Sequence, residues 1–149
     1  MKKAFNSILI VVALSTFCSC SKNTDELTAS ANNGSNSSRT ASLSQVPQAA
    51  RNYINGVNNN NLDSVTNSFA SNGVVVDVTR RIEGRAAIRT WANNEVMGGS
   101  VRVIEIHQET ISRVRLLVHW APLGSNGWRA WYTFEYANGF ITLADLQYA

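Results

Sequence analysis

Arg113-Val114-Arg115-Leu116-Leu117-Val118-His119-Trp120 is followed, after a turn, by Trp128-Arg129-Ala130-Trp131-Tyr132-Thr133-Phe134-Glu135-Tyr136, and these two runs decide the fold class. Both are rich in branched and aromatic residues that suit a pleated surface. Both also alternate, as side chains on a strand must. Val114, Leu116, Val118 and Trp120 share one face, opposed by Arg113, Arg115, Leu117 and His119. In the second run Trp128, Ala130, Tyr132, Phe134 and Tyr136 oppose Arg129, Trp131, Thr133 and Glu135. A less regular run at residues 101–110 sets Glu105, His107 and Glu109 against Ile104 and Ile106, and a last one covers residues 140–148. Residues 122–127 and Ala137-Asn138-Gly139 supply the turns.

Upstream the period changes. Val46, Ala50, Tyr53, Ile54 and Val57 recur at helical spacing and predict a helix over residues 45–58, capped by Ser44, with Pro47 in its first turn. The asparagine run at residues 58–61 ends it. A second helix is expected from Leu62 or Asp63 to Ala70, with Val65 and Phe69 inward. Asn72-Gly73 signals a turn, and residues 74–78 form a β-branched strand that sets Val75, Asp77 and Thr79 on one face. A third helix over residues 85–96 places Ala87, Ile88, Trp91 and Ala92 together, until Gly98-Gly99 stops it. Helices first and strands after predict an α+β domain with one antiparallel sheet.

The N-terminus reads as a targeting signal. Met1-Lys2-Lys3 is basic, residues 8–14 are apolar, and Phe17-Cys18-Ser19-Cys20 closes the segment. The apolar run is too short to span a bilayer, which takes roughly 20 residues. Cys20 after the small Ser19 resembles the lipobox of bacterial lipoproteins, with Phe17 where Leu is usual, in the style of Bacteroidetes lipoproteins. The resemblance implies that Cys20 is acylated and that the chain is held at a cell-envelope membrane, each buried methylene adding about 0.8 kcal/mol. Ser21 differs from the Asp that retains many lipoproteins at an inner membrane, which favours the outer one. The Ser- and Asn-rich stretch up to Ser44 buries too little to order itself and reads as a spacer. Residues 1–19 are thus signal, 20–44 anchor and linker, and 45–149 the folded domain.

The formal net charge of +3 is concentrated outside that domain, which from Gln45 onward holds nine arginines, no lysine and eight carboxylates. No clustered basic face advertises nucleic-acid binding. With Cys18 removed and Cys20 acylated, no thiol remains for disulfide or nucleophilic chemistry. Two histidines are too few for a metal site without carboxylate help, and neither metal nor cofactor is expected.

Tyr53-Ile54-Asn55-Gly56-Val57, Asn61-Leu62-Asp63-Ser64-Val65 and Phe69-Ala70-Ser71-Asn72-Gly73-Val74 come in an order shared with a known family. They are followed by Asp77, by Glu83-Gly84-Arg85-Ala86-Ala87-Ile88-Arg89-Thr90-Trp91 and by Ala137-Asn138-Gly139-Phe140-Ile141. The set resembles the NTF2-like superfamily, in particular its SnoaL-like branch, from Gln45 to the C-terminus. The resemblance implies a cone, with three N-terminal helices packed on a curved antiparallel sheet and a pocket at the open end. It does not imply one activity: such cones include polyketide cyclases, steroid isomerases, dehydratases and binding modules.

Proton-transfer members of this family use a carboxylate, alone or with histidine, in an apolar cone. Asp77 is the first candidate base, against its reading as a strand-end residue paired with Arg80 or Arg81; His119 or His107 and Tyr132 are its candidate partners. Alternation, however, sends both histidines to the outer sheet face with Glu105, Glu109, Arg115, Arg129 and Glu135. That face, carrying Trp131 and Leu117, suits a homodimer contact. Trp91, Trp120, Trp128 and Phe134 are candidates to line an aromatic pocket. The resulting expectation is a membrane-anchored module binding a small apolar molecule or a protein partner. An isomerase, cyclase or dehydratase using Asp77, and a structural homodimer of the envelope, are the alternatives.

Overall fold

The computed structural model describes residues 41–149; the signal segment, Cys20 and most of the spacer lie outside the described residues. The first helix, α1 (Gln48–Asn58), begins later than helical periodicity suggests. Pro47 is the reason: a residue before proline is pushed from helical to extended backbone, and Val46 sits at φ −75°, ψ 137°. Residues Leu43–Gln45 instead make one 3₁₀ turn. Ser44 caps nothing; its hydroxyl meets that of Ser42 at 2.7 Å, and its carbonyl accepts from Arg51 Nη1 at 3.1 Å.

Helix α2 (Leu62–Asn67) is capped by Asn61, whose side-chain oxygen accepts from the Ser64 amide at 2.9 Å. It stops before Ala70 because Phe69 already belongs to strand β1 (Phe69–Asp77). Phe69 pairs with Ile141, whose amide donates to the Ser68 carbonyl at 2.8 Å. The Asn72-Gly73 turn signal is absorbed as a register shift between Phe69 and Val74 rather than as a chain reversal. A short strand β2 (Arg80–Glu83), not legible as a strand in the sequence, folds back on β1. Helix α3 (Arg85–Trp91) follows and widens into a single π turn, Ala92–Val96. Strands β3 (Ser100–Thr110), β4 (Arg113–Ala121), β5 (Trp128–Ala137) and β6 (Phe140–Tyr148) complete the domain.

The six strands form one sheet in the order β2-β1-β6-β5-β4-β3. It is mixed rather than purely antiparallel, because β1 runs parallel to β6 while the other neighbours are antiparallel. A parallel pair needs a long crossover, and α3 with β3, β4 and β5 supplies it. Register shifts at Val103/Glu105, Gln108/Thr110 and Glu135/Tyr136 bend the long strands around the helices.

The inner face follows the alternation. Val114, Leu116, Val118, Ala130, Tyr132 and Phe134 are buried against Tyr53, Ile54 and Val57 of α1 and Ile88 of α3. Tyr53 is the hub, its ring 5.9 Å from Phe69, 6.5 Å from Tyr132 and 5.5 Å from Phe134. On the outer face Arg113 bridges Glu109 and Glu135. Arg115 lies 4.1 Å above the Trp131 ring and His107 stands 5.8 Å from it, and Leu117 is only 6 % exposed.

Close approach of α1 to α2 depends on Gly56. A Cβ there would stand 2.7 Å from the Val65 amide nitrogen and 2.8 Å from Val65 Cγ2. Alanine normally gains helix stability over glycine, but backbone cannot yield as a side chain does. Gly56→Ala is expected to destabilise the domain by about 1–3 kcal/mol, measured as a lower urea midpoint at unchanged slope.

Candidate functional site

A cavity of about 440 Å³ opens at the end of the sheet where β1, β4, β5 and β6 present the residues Asp77, Trp120, Trp128 and Tyr148. Tyr53, Ala130, Tyr132 and Leu146 form its interior, while Trp91 and Val96 wall it from the α3 side. Its mouth carries Val78, Arg80 and Glu95, with Trp128 and Tyr148 as a half-open aromatic lip, 38 % and 65 % exposed.

Asp77 enters this space because β1 alternates. Val75 is fully buried, and two residues on Asp77 faces the same way. The next residue turns the chain: Val78 adopts φ 57°, a conformation that costs a β-branched residue of order 1–3 kcal/mol. Two contacts to β6 hold it there, its amide donating to the Leu146 carbonyl at 2.9 Å and its carbonyl accepting from Gln147 Nε2 at 3.1 Å. Asp77 Oδ2 accepts from Trp91 Nε1 at 3.3 Å and from Arg80 Nη2. Arg80 is a bridge. Its two terminal nitrogens also reach Glu95, at 3.0 Å to Oε1 and 2.6 Å to Oε2, the fork geometry that guanidinium and carboxylate share. The hydrogen bond to Arg80 lowers the Glu95 carboxyl below its usual range, and Glu95 first, then Asp77, raise the Arg80 guanidinium.

The interior differs from the mouth. Tyr53 and Tyr132 are 1 % and 4 % exposed and both line the cavity. Among the described residues neither hydroxyl has a hydrogen-bond partner, and neither is sealed from the cavity. They are therefore open to water or to a ligand that enters the cavity. Burial chiefly, and the Asp77 charge after it, raises the Tyr53 phenol above its ordinary value. Burial again, then Tyr53 and Asp77, raises Tyr132. Both therefore stay protonated and able to donate at physiological pH.

Of the residues singled out in the sequence, Asp77, Trp91, Trp120, Trp128 and Tyr132 meet in this cavity. Asp77 is both a cavity residue and an Arg80 partner. Phe134 is not at the surface of the cavity: it is fully buried between Tyr53 and Tyr132, 5.5 and 6.2 Å from their rings. His119 is not there either. Strand alternation puts it on the outer face, paired in register with Arg102 and Arg129, so it cannot serve as the partner of Asp77. His107 faces out too, 3.2 Å from Glu105 Oε2. Sequence reasoning named Arg80 as a partner of Asp77, which it is, but passed over Tyr53 and Glu95 as site residues. Tyr53 had a signal, being the one hydroxyl on the apolar face of α1; Glu95 had none, since the π turn that presents it is not a local pattern. Among the described residues no three His, Cys, Asp or Glu side chains group as metal ligands would.

The sequence matches no family model and no curated protein. Solved structures do match it. A candidate polyketide cyclase from Sinorhizobium meliloti superposes with a TM-score of 0.64 at 18% identity, covering 72% of this chain and 100% of that one. An NTF2-like protein of unknown function from Cytophaga hutchinsonii gives 0.60 at 14% identity, over 68% and 87% of the two chains. A candidate ketosteroid isomerase from Kribbella flavida gives 0.57 at 19% identity, over 66% and 73%. At these identities the likeness is one of architecture, and the domain has the NTF2-like fold: helices held in a curved sheet that opens on an aromatic cavity.

Proposed function

We propose that this domain is a small-molecule-binding module tethered through Cys20 to a membrane of the cell envelope. One observation carries the binding half of the reading: two almost wholly buried tyrosines, whose hydroxyls bond to none of the described residues, line one cavity. A cavity of about 440 Å³ lies within the range that small-molecule sites occupy. The ligand sets an apolar, flat body against Trp91, Trp120 and Trp128 and a polar group at Tyr53 and Tyr132. Asp77 favours binding over catalysis, because its Oδ2 is taken up by Arg80 and Trp91 and no histidine reaches it.

A second reading rests on the same carboxylate. Asp77 and the two phenols face one space, which is what abstraction of a proton beside a carbonyl requires: a base for the proton and donors for the oxygen as it becomes an enolate.

Calorimetry on the purified full-length protein with β-naphthol and with naphthalene tests the binding reading. Tyr53→Phe and Tyr132→Phe are each expected to weaken β-naphthol about 5–20-fold, the worth of one hydrogen bond in a buried site, and to leave naphthalene nearly unchanged. Equal affinities in all three proteins would refute it. For the catalytic reading, a β,γ-unsaturated cyclic ketone is incubated with the protein in heavy water. Binding alone predicts no deuterium uptake above the buffer rate; uptake that disappears in Asp77→Asn would establish the enzyme instead. The tether makes its own prediction: Cys20→Ala moves the protein from the membrane fraction to the soluble exported fraction, and an unchanged distribution would remove the anchor.

A further inference from the structure

The charges around the cavity do not cancel. Its lining holds two carboxylates, Asp77 and Glu95, and one guanidinium, Arg80. Arg80 is committed to both of them at once, with three of the five N–H donors of a guanidinium engaged by their carboxylates. Asp77 Oδ1, in contrast, accepts from none of the described residues. An anionic ligand would meet two carboxylates, whereas a cation would meet one free carboxylate oxygen and a formal charge of −1.

The walls add to this. Tyr53, Trp91, Trp120, Trp128, Tyr132 and Tyr148 all line the same space. Trp128 and Tyr148 pack against each other at the opening, their rings 5.9 Å apart and tilted by 44°. Aromatic faces are negative, and a cation set against them is attracted, the more so where water is excluded. Ammonium groups that carry methyls suit such walls better than a bare ammonium, which needs an acceptor for each of its N–H bonds. The charge of Asp77 is felt at the back of the cavity too, since it adds to the burial that keeps Tyr53 and Tyr132 protonated.

We propose that the ligand is a cation, an apolar ammonium such as a trimethylammonium group, held between the aromatic walls with its charge toward Asp77. This rests on the reading of the cavity as a binding site and specifies the chemistry that the site selects. It gives the Arg80 bridge a role: by offsetting one of the two negative charges it leaves the cavity attractive to a single cation. It also gives Trp128, exposed at the mouth, a reason to be apolar and aromatic.

The test compares three probes of one shape by calorimetry on the full-length protein: choline, its uncharged analogue in which carbon replaces nitrogen, and the tert-butylacetate anion. Choline is expected to bind at least about tenfold more tightly than the uncharged analogue, and the anion more weakly than either. Asp77→Asn should reduce the preference for choline several-fold, to what the aromatic walls alone supply, while leaving the uncharged analogue unaffected. Because Asp77 also receives Trp91, a second variant guards against loss of the fold: Trp128→Leu, at the open lip, should weaken choline several-fold more than its analogue. Equal affinity for choline and the uncharged analogue, or tighter binding of the anion, would overturn the charge selection. In that outcome tight binding of β-naphthol leaves the binding reading standing. If neither choline nor β-naphthol binds, both readings fall.

Discussion

The parallel pairing of β1 with β6 is the contact on which the rest of this domain depends. It joins the helical half of the chain to the four-strand half, with Val75 against Ala144 and Asp77 against Leu146. Without it the helices would have no strand of their own in the sheet, and the cone would have no wall beside α3. It also sets the site. The same register that buries Val75 turns Asp77 inward, and the bonds from Leu146 and Gln147 to Val78 hold a β-branched residue in a conformation it disfavours. Strain of this kind persists where surrounding structure over-determines it, and here that structure is the end of β6.

A second constraint is the division of labour among aromatic side chains. Phe69 packs edge to face with the ring of Tyr53, Phe134 lies tilted against the same ring, and together they fill the closed end of the cone. Trp120, Trp128 and Tyr148 leave the open end unfilled. Tyr53 belongs to both sets, its ring supplying packing and its hydroxyl a polar point at the back of the cavity. On the outer face Trp131 is held between Arg115 and His107, and Arg113, paired with both Glu109 and Glu135, offsets two carboxylates that would otherwise repel.

The polar groups of the site come from four separate places: α1 for Tyr53, the end of β1 with its turn for Asp77 and Arg80, the π turn for Glu95, and β5 for Tyr132. Each element is simple by itself, and the cavity exists only where they converge. That is why Asp77, at the end of a β-branched run, could be picked out from the chain, whereas the Arg80 bridge to Glu95 could not. Phe134 shows the converse: its aromatic character suggested a pocket wall, but its position in the middle of β5, beneath Tyr53, makes it core.

Alternation along residues 113–148 and helical spacing along residues 46–57 determined, from the sequence alone, which face of each element is buried. They did so because burial acts on side chains that neighbour one another at a fixed period. That was enough for helices packed on the apolar face of a sheet and for the outward placing of both histidines; the cone came from the family resemblance, and Asp77 stood open between a place in the pocket and a pair with Arg80 or Arg81. What only the tertiary structure decided was the late start of α1, the early start of β1, the unexpected β2, the parallel β1–β6 register and the meeting of Tyr53, Asp77, Arg80, Glu95 and Tyr132 in one cavity. These depend on pairings between residues far apart in the chain. A strand's register is set by its partner and by the core it helps to close, and no local period encodes the partner.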